Sequence, residues 1–423
     1  MGTPKRRAFA LLGAGMVFAV AVSTAFGAFG TGGRTIVNVG GTNSADDVAV
    51  AKDGTIVGAG AAVPGATGFD FAVVRLTSAG FPDSSFSGDG EQTTDLGGFD
   101  TTDAVVVQKD GAIVVGGSSD AIADQRRSAM VRYEPDGDPD PTFSQDGIMI
   151  FPFGGKASGI DDMELLDNGK IVVAGSIEGA NDGQDALVAR VRPNGKLDKK
   201  FGKKGLLKFG VKDGTSLVAA DIQKDDRIVV AGDTSGIEMG DNGSQLFARV
   251  TKGGKLDKSF SGDGIFTRKV KGASTRVEDV AVEKGGRVLG AVGIFDGPDV
   301  NYGVSAVKES GKKDKKFGKK GLALRDFGID TSLENIGIQK AGGIVVGGAV
   351  RVGDLEFLLA RFTRKGKLDE SFGFKGATTT DFAGNVDIIQ GLAIGKEDVI
   401  VAAGIGDGDF GFARYLANGA IDD

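Results

Sequence analysis

Acidic and amide side chains recur at regular intervals just ahead of short apolar runs: Asp46 and Asp47, Asp103, Asp161 and Asp162, Glu278 and Asp279, Glu334 and Asn335. Brought together by a fold, Asp46, Asp103, Asp161, Glu278 and Glu334 would form a ring that attracts cations or polar ligands. Two carboxylates of such a ring would also suffice for acid and base work in hydrolysis, and calcium is a cofactor that such a hydrolase could use, although none is expected for the chain. Equally, each group can serve as an acceptor for neighbouring loop amides, and Val218 breaks the series. The chain contains no Cys, His or Trp. That excludes thiolate nucleophiles, disulfides, zinc-thiolate sites, histidine general bases and imidazole pH switches.

A second set of charges is too repetitive to be a catalytic centre. Arg75, Arg132, Arg190, Arg249, Arg361 and Arg414 occupy one column, with Ala306 as the exception. Each is followed by an aspartate in another column (Asp83, Asp140, Asp198, Asp257, Asp369 and Asp422), as is Ala306 by Asp314. A repeated ion pair that ties down a turn is the expected role. A third set, Lys199, Lys200, Lys203, Lys204, Lys312, Lys313, Lys315, Lys316, Lys319 and Lys320, falls in turns that read as solvated surface and predicts one basic sector. Three motif matches fail on context. "GDGDFG" (406 to 411) is followed by a strand where a dinucleotide loop needs a helix, and "DGDPDP" (136 to 141) lacks the Gly and Glu of a calcium loop. "SGDG" (87 to 90 and 261 to 264) lacks the Gly and aromatic spacing of a sialidase Asp box.

These columns exist because the chain repeats. A Phe followed by Gly or Ser recurs at Phe29, Phe86, Phe143, Phe201, Phe260, Phe317 and Phe372, and an apolar run such as "DGAIVVGG" (110 to 117) or "NGKIVVAG" (168 to 175) lies between successive copies. A regular period of this size marks one supersecondary unit that buries its apolar faces only by stacking on neighbours. Each unit reads as four strands. Two β-branched runs around Asp-Gly form a hairpin, as in "TTDAVVVQKDGAIVVGG" (101 to 117), then come a third strand such as "SAMVRY" (128 to 133), a turn, and a fourth such as "LLKFG" (206 to 210). The second strand is apolar on both faces, as a strand sandwiched between neighbours must be.

Seven such units predict an all-β, seven-bladed β-propeller spanning residues 29 to 423. The last copy has a hairpin and a third strand but no fourth, whereas "FGTGGRTIVNVGG" (29 to 41) is a fourth strand with nothing before it. An open edge and an orphan strand are both costly. The sequence therefore predicts that residues 34 to 39 complete the last blade and close the ring. If the first strand is innermost, the recurring acids ring one mouth of the central channel.

"NGKIVVAG" followed by "ARVRPNGKLDKKFGKKG" resembles the bacterial delta-60 repeat, and the third-strand and "FG..G" layout is similar to NHL-type propeller blades. The resemblance covers residues 29 to 423 and departs most in the fifth copy, at "GVSAVKES" (303 to 310). It implies an exported or surface repeat protein and implies no enzyme.

Residues 1 to 28 place Lys5, Arg6 and Arg7 ahead of an uncharged apolar run and small residues, the layout of a secretory signal peptide, with an uncleaved N-terminal anchor as the alternative. Export to the periplasm, cell surface or medium is the expectation. Without those three basic residues, 47 basic face 57 acidic residues, net −10, which speaks against nucleic acid as a partner. The function expected is a monomeric, non-catalytic binding scaffold for a protein or envelope polymer. Its specificity would lie in loops such as 176 to 186, 233 to 245 and 294 to 303. The competing class is a carboxylate-based hydrolase or lactonase at the channel mouth.

Overall fold

The computed structural model describes residues 28 to 423 apart from 65–67, 121–124, 152–155, 180–182, 212–213, 235–242, 297–298, 329 and 385. The leader, and parts of the three loops named above, fall outside the described residues.

The strands form seven separate four-stranded antiparallel sheets, and the only helical element described is a single 3-10 turn, Lys396–Asp398. In six of the sheets the strands neighbour one another in chain order from the axis outward, and in the seventh the outermost strand is Arg34–Val37 from the start of the described chain. The inner strands are Asn43–Val50, Asp100–Val107, Ser158–Leu165, Ser216–Ile222, Ser274–Val282, Ser332–Ile338 and Ile388–Ile394, for blades 1 to 7. Each packs against the next, and the last packs against the first, so the sheets close a ring. The core is correspondingly divided into layers between blades. Met130 and Val114 of blade 2 pack with Ile160, Met163 and Val173 of blade 3, and Val57 and Phe71 of blade 1 pack with Val115 and Val131 of blade 2. Second strands such as Ile113–Ser119 are buried along their whole length, because both of their faces meet a neighbouring blade.

The Arg and Asp columns hold each turn, and Arg75, Arg190, Arg249, Arg361 and Arg414 also bind it to the next blade, whereas Arg132 reaches Gln108 and Asp110 of its own blade. Nε of Arg190 donates to Asp198 at 2.9 Å and its guanidinium lies 4.8 Å from the centre of the Phe201 ring, while its Nη1 donates to the carbonyl of Lys252 in blade 4 at 2.6 Å. Arg249 repeats the arrangement with Asp257, Phe260 and the carbonyl of Glu309 in blade 5. The aspartate's other oxygen accepts the N–H two residues on, as in Asp83 with Ser85 and Asp369 with Ser371. In blade 5, where Ala306 replaces the arginine, two others share its work. Arg268 from blade 4 donates to Ser305, to the Gly321 carbonyl and to the Ala306 carbonyl, and Arg287 stacks over Phe317.

The ring closes as the sequence predicts. Arg34–Val37 pairs antiparallel with Asp409–Tyr415, in the register Arg34 to Ala413 through Val37 to Phe410. The turn that seals it is assembled from both ends of the chain. Arg414 and Asp422 come from the C-terminal side, and Phe29 comes from the N-terminal side, fully buried under the Arg414 guanidinium with its N–H on the carbonyl of Asp422 at 3.2 Å.

The Asp-Gly hairpin of blade 2 forms as the sequence predicts, across five residues (108–112) closed by the Gln108 N–H on the Ala112 carbonyl. One local expectation needed revision. Much of 294 to 303 is strand: Ile294 pairs with Asn301 and Phe295 with Val300, extending the blade 5 hairpin.

Candidate functional site

The acids do not stand ahead of the inner strands but inside them, each at a β-bulge. The register slips between Ala45 and Asp47, Thr102 and Ala104, Ile160 and Asp162, Leu217 and Ala219, Val277 and Asp279, Leu333 and Asn335, and Ile389 and Gly391. The skipped residues are Asp46, Asp103, Asp161, Val218, Glu278, Glu334 and Gln390. A bulge leaves its extra residue out of the ladder and re-aims its side chain. Repeated seven times around the axis, it points one residue per blade into the channel.

The bulge also explains a glycine column in the second strand. A Cβ on Gly60, Gly117, Gly175, Gly232, Gly348 or Gly404 would stand 1.8 to 2.2 Å from a carbonyl of the bulged inner strand, so a side chain at these positions would force the bulge open. The recurrent "VVGG" and "VVAG" endings therefore report the same feature as the acids.

The channel has a volume of about 1070 Å³ and is lined at this level by the ring and by Arg276, Phe295 and Tyr302. Below the ring, a second tier of carboxylates is engaged in latching blades together. Asp47 accepts the N–H of Val48 and, across the junction, that of Val105 in blade 2 at 2.8 Å. Asp162 reaches Ala220 of blade 4, Asp221 reaches Val282 of blade 5, and Asp279 reaches Ile336 of blade 6. For these lower groups, amide hydrogen bonding is the role observed.

The ring itself is less satisfied. Among the described residues, the buried atoms Asp103 Oδ2, Asp161 Oδ2 and Gln390 Oε1 have no hydrogen-bond partner. Arg126 stands 3.9 Å from Asp103 Oδ2, too far for a hydrogen bond. Burial is the main cause that lifts the carboxyls out of their usual range: Asp46 to about 8, Asp161 to about 7, Glu278 to about 7 and Asp103 to about 6. Repulsion from Asp103 adds to the rise at Asp46 and Asp161, and Arg126 restrains Asp103. Glu334 is raised as well, chiefly by burial. One sector of the ring differs from the rest, for Arg276 lies over the Phe295 ring, and Glu278 feels both Arg276 and Glu334.

All five acids singled out in the sequence thus meet in one channel. Sequence reasoning missed Gln390, the ring member of blade 7, and the deeper pair Glu164 and Asp221. The signal was present, since Gln390 precedes its apolar run at the same offset as the acids, but its neutral side chain hid it among acidic neighbours. Arg276, Phe295 and Tyr302 have no counterpart in the other repeats and so carry no periodic signal. The lysine turns are exposed on the face opposite the bulged ends of the inner strands, and the turns of blades 3, 4 and 5 touch one another, through Gly202 N–H to the Gly253 carbonyl and Ser261 N–H to the Ser310 carbonyl. Among the described residues no helix is long and apolar enough to cross a membrane.

Four stretches, residues 51–86, 108–143, 166–201 and 223–260, match the family described as "Domain of unknown function (DUF5122) beta-propeller". Each begins near the inner hairpin of one blade and ends at the phenylalanine that seals its turn. The chain is a β-propeller repeat protein. One solved structure agrees on the fold. This propeller is similar to a polysaccharide lyase of family PL25, an ulvan lyase, at 12% identity over 92% of this chain and 97% of that one, with a TM-score of 0.50. It is also similar to Drosophila Semaphorin 1b, extracellular domains 1-2, at 9% identity, 93% and 88% coverage and a TM-score of 0.46. A gluconolactonase from Xanthomonas campestris follows at 9% identity, 78% and 92% coverage and 0.38. At such identities the likeness extends to the fold alone. A search of curated proteins gives no match.

Proposed function

We propose that this propeller is an exported, non-catalytic binding scaffold whose channel mouth receives a cationic group, an ammonium or guanidinium carried by a partner protein. The observation that carries this reading is the set of inward acceptors without donors, Asp103 Oδ2, Asp161 Oδ2 and Gln390 Oε1. A buried acceptor left unpaired is expensive, and a cation bearing N–H groups supplies the donors that these acceptors lack. Phe295 and Tyr302 beside Glu278 add aromatic surface against which the stem of such a group can pack. Export follows from the leader layout of residues 1 to 28. On the opposite face, the lysine turns of blades 3 to 5 are suited to meeting an anionic envelope polymer.

A second reading has one observation in its favour. Asp46, near 8, and its neighbour Asp103, near 6, fall on opposite sides of neutrality, as an acid and base pair does in carboxylate-based hydrolysis. Titration calorimetry with tetralysine, and with acetylated tetralysine as the uncharged control, separates the two. Scaffold binding requires heat with the first peptide only, lost at high salt and weakened about tenfold by Asp103→Asn with Asp161→Asn. Turnover of glycosides or lactones that Asp103→Asn abolishes would replace the scaffold by the hydrolase.

A further inference from the structure

Three carboxylates outside the channel converge where blade 1 meets blade 2, on the same face as the acidic mouth. Asp70 begins the third strand of blade 1, Asp95 follows its fourth strand, and Asp100 begins the inner strand of blade 2. One oxygen from each lies within 4.8 Å of the others. Asp100 is fully buried and Asp70 is 7% exposed, yet Oδ1 of each has no hydrogen-bond partner. Their remaining contacts are structural. Asp100 Oδ2 accepts the Leu96 N–H at 2.7 Å, and Asp95 Oδ1 accepts the Gly97 N–H at 2.6 Å. Among the described residues none of the three joins an ion pair, and a fourth acid, Asp120, lies close by with its carboxylate on the Phe99 N–H.

The chain supplies its own control. At the junction of blades 7 and 1, the same three repeat positions are held by Asp409, Asn38 and Asn43. There the amides of Asn38 and Asn43 donate to Asp409 Oδ1 at 2.8 and 3.0 Å, and the cluster is closed without outside help. At the junction of blades 1 and 2, both amides are replaced by carboxylates. Both amide donors are gone, the Ser119 hydroxyl remains as a partner of Asp100, and two negative charges have been added. Something must take the place of those amide protons.

We propose that Asp70, Asp95 and Asp100 form a calcium site that pins blade 1 to blade 2. An all-oxygen donor set with two buried carboxylates suits a hard divalent cation, and oxygens that all lie within 4.8 Å of one another can share one calcium ion at about 2.4 Å from each. Magnesium demands a stricter octahedral geometry and gives up its water reluctantly, so calcium suits a site with one exposed carboxylate better. Asp95 is exposed, which leaves the ion a route to solvent and room for water ligands. In accord with this, burial and the neighbouring carboxylates hold both Asp70 and Asp100 above the usual carboxylate range, the condition that a bound divalent ion relieves.

The test is calorimetry and thermal melting of the full chain with calcium or magnesium chloride, on the wild type, on Asp95→Asn with Asp100→Asn, and on Asp103→Asn with Asp161→Asn. The first double variant rebuilds the amide arrangement of Asn38 and Asn43, so it retains a folded junction. Calcium should raise Tm of the wild type and of the channel variant by about 2–5 °C at a hundredfold excess over Kd. The amide variant should lose that rise and melt at or above the calcium-free wild type. Asp95→Asn alone, at an exposed position, should weaken binding about tenfold and serves if the double variant misfolds. No calcium response in the wild type, an undiminished response in the amide variant, or a response lost only in the channel variant would overturn the site. An equal response to magnesium would overturn its assignment to calcium.

Discussion

Replacing Phe29 by alanine asks whether the beginning of the propeller fastens its end. The ring is fully buried, lies 4.9 Å from the Arg414 guanidinium, and packs with Val37 and Val39 in the layer shared by blades 7 and 1. Phe86 occupies the same place within blade 1, fully buried and 4.8 Å from the Arg75 guanidinium. Truncating a buried Phe to Ala costs about 3–5 kcal/mol, and losing the cation's contact with the ring adds about 0.5–1. Near the midpoint, an unfolding entropy of about 0.8 kcal/mol/K for a domain of this size converts 3–5 kcal/mol into a fall in Tm of about 4–6 °C. Phe29→Ala and Phe86→Ala should therefore destabilise to similar extents in urea titrations followed by circular dichroism. If Phe29→Ala stays within about 0.5 kcal/mol of the wild type while Phe86→Ala loses several, the closing strand contributes nothing and the sealed ring is refuted.

Stability should fall as pH rises from about 5 to about 8. The folded channel holds Asp46, Asp47, Asp161, Glu278 and Asp279 at about 7 to 8, so in this window the native state binds more protons than the unfolded chain, and each such proton is worth about 1.4 kcal/mol per pH unit. A urea midpoint that climbs between those pH values would contradict it. Asp198 and Asp257 run the other way. Held near 2 in the folded state, they contribute stability that is present above about pH 4 and lost as pH falls toward 2, so Asp198→Asn should shallow the acid limb of the profile. Gly117→Ala places a Cβ 1.9 Å from the Thr101 carbonyl and should cost more than about 2 kcal/mol while displacing Asp103, whereas Gly88→Ala meets no atom within 4 Å and pays only for its positive φ.

Most of the architecture is legible because it is periodic. The Phe column, the Arg and Asp columns and the missing fourth strand of the last copy give blade number, strand order and closure without reference to tertiary contacts. The acids could be found the same way, but not their placement. A bulge changes which face a residue points to without changing its spacing, so Asp103 reads as the residue before a strand when it is the one displaced within it. The calcium site was hidden for a different reason. Asp70, Asp95 and Asp100 belong to two blades, and in a single repeat each looks like an ordinary turn residue. Only the comparison with Asp409, Asn38 and Asn43, which the fold makes possible, shows that donors have been exchanged for acids. Arg276 and Tyr302 lie outside every column and become visible only once the channel is assembled.

The turn shared by Phe29, Arg414 and Asp422 sets a schedule for folding. As the polypeptide is made, residues 34 to 37 emerge first and find no partner until 409 to 415 have appeared, so the earliest strand must wait longest. Blades 1 to 6 can form and stack in order, each offering the next a surface on which to settle, while the seventh sheet must recruit across the full length of the molecule. The seventh sheet can be completed only once both of these segments are present, and until then the nascent protein carries raw edges that a chaperone would have reason to cover.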